Sequence, residues 1–357
     1  MKRLLAICLA AALAAGLSGC GTLSPDQAHE SIQTFAMDTA MIFSAYGENG
    51  TKAAYAAEAE VQRLDALLSR TREDSPVSRL NRGEGAAVDV GAEVCGLMQA
   101  AERYGRATGG AFDITIAPVA SAWGFTEDAY RVPDPKELET LLPAVGTEHI
   151  HLTTAEGASS AATASLDVGS RIDLGGIAKG YASDRVAEIF REQAVPSGMV
   201  SLGGNVWVCG RRPDGKPWRV GIQDPNNSEN YAGILNLSDA FAVTSGGYQR
   251  FFEENGKIYH HIIDPATGYP AESGLQSVTV VTDGSEDSTT GGGTMCDALS
   301  TALFVMGEDR ALEFWRSGAF SFDLVLITAD GRVVVTQGLE GAFEEVKESG
   351  YSYEIAH

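Results

Sequence analysis

Apolar residues recur at helical spacing in several stretches of this chain, as they do in helices that bury one face. The spacing predicts helices over residues 51–70 and 91–108, and a short surface helix over residues 133–142. Residues 294–307, TMCDALSTALFVMG, are apolar almost all round, which predicts a buried helix that ends at Gly307.

Short runs of alternating or continuous apolar residues predict strands elsewhere. They cover residues 199–202, 206–209, 218–222, 233–237, 241–244, 275–282 and 323–328. The last run leads through Asp330 and Gly331 into residues 333–336, which predicts a hairpin. No long Pro- or Ser-rich linker divides the chain, so we predict one continuous α+β domain over residues 31–357.

Residues 171–184, RIDLGGIAKGYASD, predict a strand that passes through a glycine turn into a helix. The strand side rests on the alternation of Leu166, Val168, Ile172 and Leu174. Gly175 and Gly176 fill the turn, and Lys179 lies in the first turn of the helix. A helix N-terminus beside glycines can bind an anionic ligand, but many such turns hold no ligand, so this segment alone leaves both interpretations open.

Two further segments carry candidate chemistry. Residues 257–270, KIYHHIIDPATGYP, place His260 and His261 on a β-rich run before a turn. In the predicted helix 294–307, Asp297 and Thr301 are four residues apart and therefore share one face. Such an oxygen pair suits a hard cation such as Mg²⁺, which completes its shell with water and phosphate oxygens. The alternative is an Asp that complements the helix dipole and a Thr bonded to its own helix.

The charge of the chain limits its partners. It contains 26 basic and 48 acidic residues, a formal net charge of −22, whereas a duplex-binding surface needs a basic footprint. We therefore expect no nucleic-acid partner, although local lysines, backbone amides and a cation can still hold a small anionic ligand.

The N-terminus is typical of an exported lipoprotein. Lys2 and Arg3 precede an apolar run, and the tetrapeptide Leu17-Ser18-Gly19-Cys20 resembles a bacterial lipobox. We expect a signal peptide over residues 1–19, lipidation of Cys20, and a tether over residues 20–30, which would place the protein outside the cytoplasm on a bacterial membrane. An ordinary cleaved signal peptide is the alternative. The remaining cysteines, Cys95, Cys209 and Cys296, have no metal-type spacing, and we expect buried small hydrophobic side chains.

Several motifs recur in an order that resembles the ApbE family, the FAD:protein FMN transferases. They are DLGGIAKGYA, SLGGN, TSGGY, HHIIDPATGYP and DALSTA, preceded by Met37-Asp38-Thr39, LLSRTREDSPVSRLN and GAFDITIAPVASAWGF. The resemblance covers about residues 35–340. It implies a single ApbE-like, T-fold-related α+β domain with a mainly antiparallel sheet flanked by helices.

The resemblance also implies roles for individual residues. A Mg²⁺ ion is held by the residues that match Asp297, Thr301 and the carbonyl of Gly176, and His261 matches the histidine before the Ile-Asp-Pro turn, where a general base is expected. The residues that match FAD contacts are Met37, Ala111, Phe112, Asp113, Asp173, Lys179 and Ile263.

In that family the FMN unit of FAD passes to a threonine or serine hydroxyl of another exported protein, and AMP is released. The acceptor carries an Asp-x-x-Ser/Thr-Gly-Ala-Ser/Thr type of motif and is typically a subunit of a respiratory electron-transfer complex. Two other functions stay open at this point: Mg²⁺-dependent hydrolysis of FAD to FMN and AMP, and FAD binding by a lipoprotein without turnover. The choice between Mg²⁺ and Mn²⁺ in the cell also stays open.

Overall fold

The structure is a computed structural model that describes residues 29–126, 129–154, 162–284 and 291–357. The α-helices of this part are α1 (Gly50–Leu68), α2 (Pro76–Asn81), α3 (Gly91–Ala107), α4 (Ala117–Trp123), α5 (Pro135–Leu141), α6 (Ala178–Glu192), α7 (Gly292–Met306) and α8 (Glu308–Arg316). The predicted signal peptide, Cys20 and nearly all of the predicted tether lie outside the described residues. Among the helices within them, none combines the length and apolar character that crossing a membrane requires.

The strands are numbered in chain order. They are β1 (His29–Ala36), β2 (Thr39–Tyr46), β3 (Val88–Asp89), β4 (Ile150–Thr154), β5 (Ala162–Leu166), β6 (Ser197–Leu202), β7 (Asn205–Gly210), β8 (Trp218–Asp224), β9 (Asn227–Leu237), β10 (Ala240–Gly246), β11 (Phe251–Glu254), β12 (Lys257–His260), β13 (Leu275–Thr282), β14 (Asp323–Thr328), β15 (Arg332–Thr336), β16 (Phe343–Glu345) and β17 (Ser352–Ala356).

A nine-stranded sheet in the order β1-β2-β6-β7-β10-β13-β14-β15-β17 is the largest sheet of the described residues. Its neighbouring strands are antiparallel except for β15 and β17, which are parallel. Smaller sheets are formed by β16-β9-β8, by β3-β5-β4 and by the hairpin β11-β12. This architecture confirms the predicted α+β fold with a mainly antiparallel sheet.

Both faces of the large sheet are covered, because its central strands carry apolar residues on both faces. Val243, Val280 and Leu324 belong to the core on one face, which also contains buried residues of α1, α3, α6 and α7. Ala242 and Val281 belong to the core on the other face, which is shared with β8 and β9. Side chains at odd positions of β10 therefore point toward the helices.

Most elements with strong periodicity are confirmed. The helices predicted over residues 51–70, 91–108, 133–142 and 294–307 are α1, α3, α5 and α7, and Gly307 ends α7. The strands predicted between residues 199 and 336 are all present, and β14 and β15 form the predicted hairpin. The sequence did not predict the β1–β2 hairpin, α4 or α8.

The strand predicted through Leu174 is wrong, because β5 ends at Leu166. Val168 is 80% exposed, so its place in the alternation does not report a buried face. At Ile172, the side chain of Asn81 accepts from the backbone N–H at 2.7 Å and donates to the carbonyl at 2.8 Å. These two bonds replace a strand neighbour and leave residues 171–177 free to form the turn before α6.

The cysteine expectation holds in part. Cys95 and Cys296 are buried free thiols. Cys209 is only partly buried, and its thiol donates to the carbonyl of Val195 at 3.3 Å. Cys209 is thus more exposed than its apolar sequence neighbours predict. It pairs with Gly198, near the end of the ladder between β6 and β7.

Candidate active site

The helices α6 and α7 touch near their N-termini at a glycine. A Cβ atom on Gly180 would lie 2.2 Å from the carbonyl oxygen of Gly293 and 2.6 Å from the Cβ of Asp297, so no larger residue fits. The Gly180 N–H donates to Oδ2 of Asp297 at 2.8 Å. Asp297 is only 3% exposed, and this contact fixes its carboxylate beside the start of α6.

The second oxygen of Asp297 faces cationic and oxygen groups. Lys179 Nζ lies 3.8 Å from Asp297 Oδ1 and donates to the carbonyl of Gly175 at 3.1 Å. Thr301, one turn further along α7, has its Oγ1 3.7 Å from the position that a Cβ on Gly176 would take. The structure therefore brings Asp297, Thr301, Gly176 and Lys179 together. The ammonium of Lys179 lies near the carboxylate of Asp297.

These residues fit a hard divalent cation. Within the described ranges, no three or more His, Cys, Asp or Glu side chains form a group that could hold a metal ion. A single carboxylate, a hydroxyl and a backbone carbonyl suit Mg²⁺, which keeps several waters and takes substrate phosphate oxygens as further ligands. The buried position of the Asp297 carboxylate, next to an ammonium, shows that the site attracts positive charge.

Asp184 is a residue of this region that the sequence analysis did not single out. Its carboxylate accepts from the N–H of Gly293 at 2.8 Å, and from the N–H and hydroxyl of Thr294 at 2.7 and 2.5 Å. Asp184 on α6 thus caps the N-terminus of α7 from outside that helix. Burial raises the pKa of Asp184 to about 7, against the lowering effect of these donors. The sequence signals for this cap were an acid directly after GYAS and the glycines directly before TMCD.

We expect Asp184→Ala to lower the free energy of unfolding by about 2–4 kcal/mol, because it leaves buried donors of α7 without an acceptor. The melting temperature measured by circular dichroism checks this. Glu188→Ala, a change one turn later on the same helix at a half-exposed acid, is the matched control and should shift the melting temperature little. Equal melting temperatures for the two variants would show that the cap does not stabilise the fold.

Asp173 is held by contacts within the chain. Its Oδ1 accepts from the N–H of Gly175 at 2.8 Å, and Oδ2 lies 3.2 Å from Nε of Arg70. The Arg70 side chain is 11% exposed and that of Asp173 is 29% exposed, so one edge of the pair remains open to a ligand. The sequence placed Asp173 at the cofactor but did not identify Arg70, which comes from the SRT segment about a hundred positions earlier.

The segment predicted to contact FAD upstream of Asp173 lies against the glycine turn. The ring of Phe112 would be 3.1 Å from a Cβ on Gly176, so the glycine allows this packing, and Ala111 beside it is buried. The Asp173 N–H donates to the carbonyl of Ile114 at 2.7 Å. Asp113 accepts from the N–H and hydroxyl of Thr115 at 2.8 and 2.5 Å, and burial raises its pKa.

Met37 lies in the two-residue turn between β1 and β2. Met37 and Asp38 have φ values of 48° and 58°, which non-glycine residues rarely adopt. The Met37 N–H donates to Oδ1 of Asp65 on α1 at 2.7 Å, which holds the turn. A two-residue hairpin loop of type I′ requires positive φ at both central residues, so the hairpin itself accounts for these values.

The two histidines have different surroundings. His260, the last residue of β12, packs edge-on against Phe304 with ring centroids 5.4 Å apart, and its Nε2 donates to the carbonyl of Ala271 at 3.1 Å. His261 Nδ1 lies 3.1 Å from the carbonyl of Arg250. Because a carbonyl only accepts, Nδ1 carries the proton and Nε2 keeps its lone pair.

The surroundings of His261 favour its neutral form. Burial lowers its pKa to about 3, and the positive charges of Arg250 and Lys179 contribute to the lowering. Ile263, two residues later, is buried in an aromatic cluster with Trp123 and Phe125, and the Phe125 ring also packs edge-on against His261. His261 and Ile263 lie beyond the end of β12 at His260, so strand alternation does not set the directions of their side chains.

One cavity lies away from the candidate site. It has a volume of about 530 Å³ and is lined by Trp315, Phe320 and Asp323, among other residues near the end of α8. It shares no residue with the Asp297 group.

Comparison with known proteins identifies the family. The family model described as the ApbE family matches residues 37–322. A protein of Treponema pallidum named FAD:protein FMN transferase is 33% identical over 290 residues, 78% of this chain and 78% of that protein. One from Haemophilus influenzae with the same name is 33% identical over 297 residues, 82% of this chain and 83% of that protein. The crystal structure of the ApbE protein from Thermotoga maritima superimposes with a TM-score of 0.76 at 31% identity, covering 90% of this chain and 97% of that one.

Proposed function

This chain belongs to the ApbE family and is an enzyme that transfers FMN from FAD to a protein, and we propose that it does so with a divalent cation at Asp297. The acceptor group that we propose is a threonine or serine hydroxyl in an Asp-x-x-Ser/Thr-Gly-Ala-Ser/Thr type of motif. The observation that carries the proposal is the convergence of the Asp297 carboxylate, the Thr301 hydroxyl, Gly176 and Lys179 at the start of α6.

The residues that hold the cation would be Asp297, Thr301 and the carbonyl of Gly176. When bound by these residues, a Mg²⁺ ion would supply positive charge against the phosphate oxygens of FAD. Mn²⁺ prefers the same oxygen ligands and would serve in the same position. The residues themselves set the geometry, because Gly180 and Asp184 fix α7 against α6.

The remaining roles follow from charge and position. Lys179 offers an ammonium to the pyrophosphate, and Asp173 with the segment Ala111, Phe112 and Asp113 borders the same turn. We assign Met37 and Ile263 to the flavin on the strength of the family resemblance. The two residues lie in different parts of the fold. A backbone hydrogen bond to Asp65 holds Met37 in position, and Ile263 is fixed by packing in an aromatic cluster.

His261 would remove the proton of the acceptor hydroxyl at Nε2. The hydroxyl oxygen then forms a bond to the phosphorus of the FMN unit, the phosphorus–oxygen bond to AMP breaks, and AMP leaves with the bridging oxygen. The backbone carbonyl of Arg250 accepts from Nδ1–H and so holds the imidazole in the tautomer that leaves Nε2 unprotonated. Phosphoryl transfer depends mostly on alignment and electrostatics, which these fixed groups supply.

We also propose that the enzyme works outside the cytoplasm, anchored to a bacterial membrane through a lipid on Cys20. The support is the apolar run and the Leu-Ser-Gly-Cys tetrapeptide at residues 17–20. An exported electron-transfer subunit is the partner that fits this location.

The deciding experiment incubates the purified chain with FAD, Mg²⁺ and a protein that carries the acceptor motif. Transfer yields AMP together with a fluorescent acceptor band on a denaturing gel, and an acceptor whose motif threonine is replaced by alanine should stay dark. AMP without a labelled acceptor indicates hydrolysis of FAD, and bound FAD without AMP indicates a binding protein. Either of these results would overturn the proposal.

Lys179→Ala should weaken FAD binding by roughly ten-fold or more, because an ammonium that is largely buried beside glycines contacts the ligand directly. Lys52→Ala, at an exposed position of α1, is the matched control and should leave binding unchanged. Flavin fluorescence quenching measures both affinities. If the two variants bind FAD equally well, Lys179 does not contact the cofactor.

A further inference from the structure

Three hydroxyl groups form a chain beside Asp297. Ser245 on β10 has its Oγ 2.8 Å from Oγ of Ser300 and 3.3 Å from Oγ1 of Thr301. Ser300 in turn donates to the backbone carbonyl of Asp297 at 3.0 Å. The strand and the helix are therefore linked through a serine that lies between the two α7 hydroxyls.

The carbonyl at one end sets the direction of this chain. A hydroxyl has one proton to donate, whereas a carbonyl oxygen can only accept. Because Ser300 gives its proton to the carbonyl of Asp297, it must accept from Ser245. Ser245 has then used its own proton and can bond to Thr301 only as an acceptor.

The other end requires the same direction. An oxygen that binds a cation does so through a lone pair, so its proton must point away from the ion. For Thr301 that proton needs an acceptor, and Ser245 is the side chain within reach of Oγ1. Both ends thus favour one direction of donation. Thr301 donates to Ser245, Ser245 donates to Ser300, and Ser300 donates to the carbonyl of Asp297.

We propose that Ser245 is a positioning residue, which accepts the Thr301 proton and so turns a lone pair of Thr301 toward the cation. The inference rests on the proposed function, since it assumes a cation held by Asp297 and Thr301. Groups that orient metal ligands are energetically important because they fix the donor atom before the ion binds. Ser300 is fully buried, so water cannot reach its end of this series of hydrogen bonds.

The position of Ser245 on β10 supports this role. Odd positions of β10 face the helices, and Val243 belongs to the helix-side core. Thr244, the adjacent residue, faces the other way and makes a separate hydroxyl bond of 2.8 Å with Thr279 on β13. The strand therefore carries two hydroxyl pairs on opposite faces, and only that of Ser245 reaches α7.

The test compares Ser245→Ala, Ser245→Thr and the control Thr279→Val in the full chain. Thr279→Val removes a hydroxyl bond from the neighbouring strand on the opposite face. Binding of Mn²⁺ is followed by electron paramagnetic resonance of the free ion, and FAD affinity is measured separately. We expect Ser245→Ala to weaken Mn²⁺ binding by roughly ten-fold with unchanged FAD affinity in the absence of metal. Ser245→Thr, which restores the hydroxyl, and Thr279→Val should bind Mn²⁺ as the wild type does.

Other outcomes separate this inference from the proposed function. If Asp297→Asn loses Mn²⁺ binding while Ser245→Ala keeps it, the cation site stands and the role of Ser245 is refuted. If Asp297→Asn binds Mn²⁺ as tightly as the wild type does, the cation site itself is wrong. Should Ser245→Ala fail to fold, Ser245→Cys replaces the hydroxyl with a thiol of similar shape that accepts hydrogen bonds only weakly, and unchanged Mn²⁺ affinity in that variant would refute the inference.

Discussion

Asp297→Asn should lower the rate of FMN transfer by roughly 100-fold or more while the protein keeps its fold, because the carboxylate supplies the only charged ligand that we assign to the cation. The asparagine side chain still offers an oxygen to the Gly180 N–H, so the contact between α6 and α7 survives. Transfer rates at limiting and saturating Mg²⁺, with the melting temperature as a check on folding, test this.

Asp297→Ala separates the two contributions of the carboxylate. It removes the charge and also leaves the buried Gly180 N–H without its acceptor, which should cost about 1–3 kcal/mol of stability in addition to the loss of activity. Asp309→Ala, in the first turn of α8 and exposed, is the control for removing a helical aspartate. Full turnover by Asp297→Asn at limiting Mg²⁺ would refute the metal assignment.

His261→Ala should bind FAD and Mg²⁺ normally and yet transfer FMN more slowly by roughly two to four orders of magnitude, the usual contribution of a general base. Single-turnover rates with the acceptor protein, together with FAD affinity, measure the two effects separately. The matched control is His260→Gln, because glutamine keeps an N–H that can donate to the carbonyl of Ala271. His260 contacts Phe304 rather than the charged group around Lys179, so its replacement should change the rate little.

The pH profile gives a second measurement on His261. Its pKa is lowered to about 3 in the free protein, so the neutral form, which we propose as the base, is present throughout the range from about pH 5 to 8. We therefore expect kcat/KM of the wild type to show no loss from His261 protonation as the pH falls through 6.5. Wild-type rates in His261→Ala would show that another group, such as Asp264, removes the proton.

The periodic elements were accessible from the sequence because each depends on neighbours within a few residues. The apolar pattern located α7 and its end at Gly307, and the four-residue spacing placed Asp297 and Thr301 on one face. The alternation around Ile172 was misleading, since the side chain of Asn81, distant in the chain, satisfies that backbone. Local periodicity cannot report a partner of this kind.

By itself, the sequence determined which chemical groups are present and on which elements they lie. It placed Lys179 at the start of a helix, an acid and a hydroxyl one turn apart on another, and the motifs in the order of the ApbE family. Only the tertiary structure decided that these helices meet at Gly180, which is 117 positions from Asp297, and that Asp184 caps the second helix. The reason is physical: a close helix contact depends on what packs against each face, and the residues that meet there are set by the whole core rather than by their neighbours in the chain.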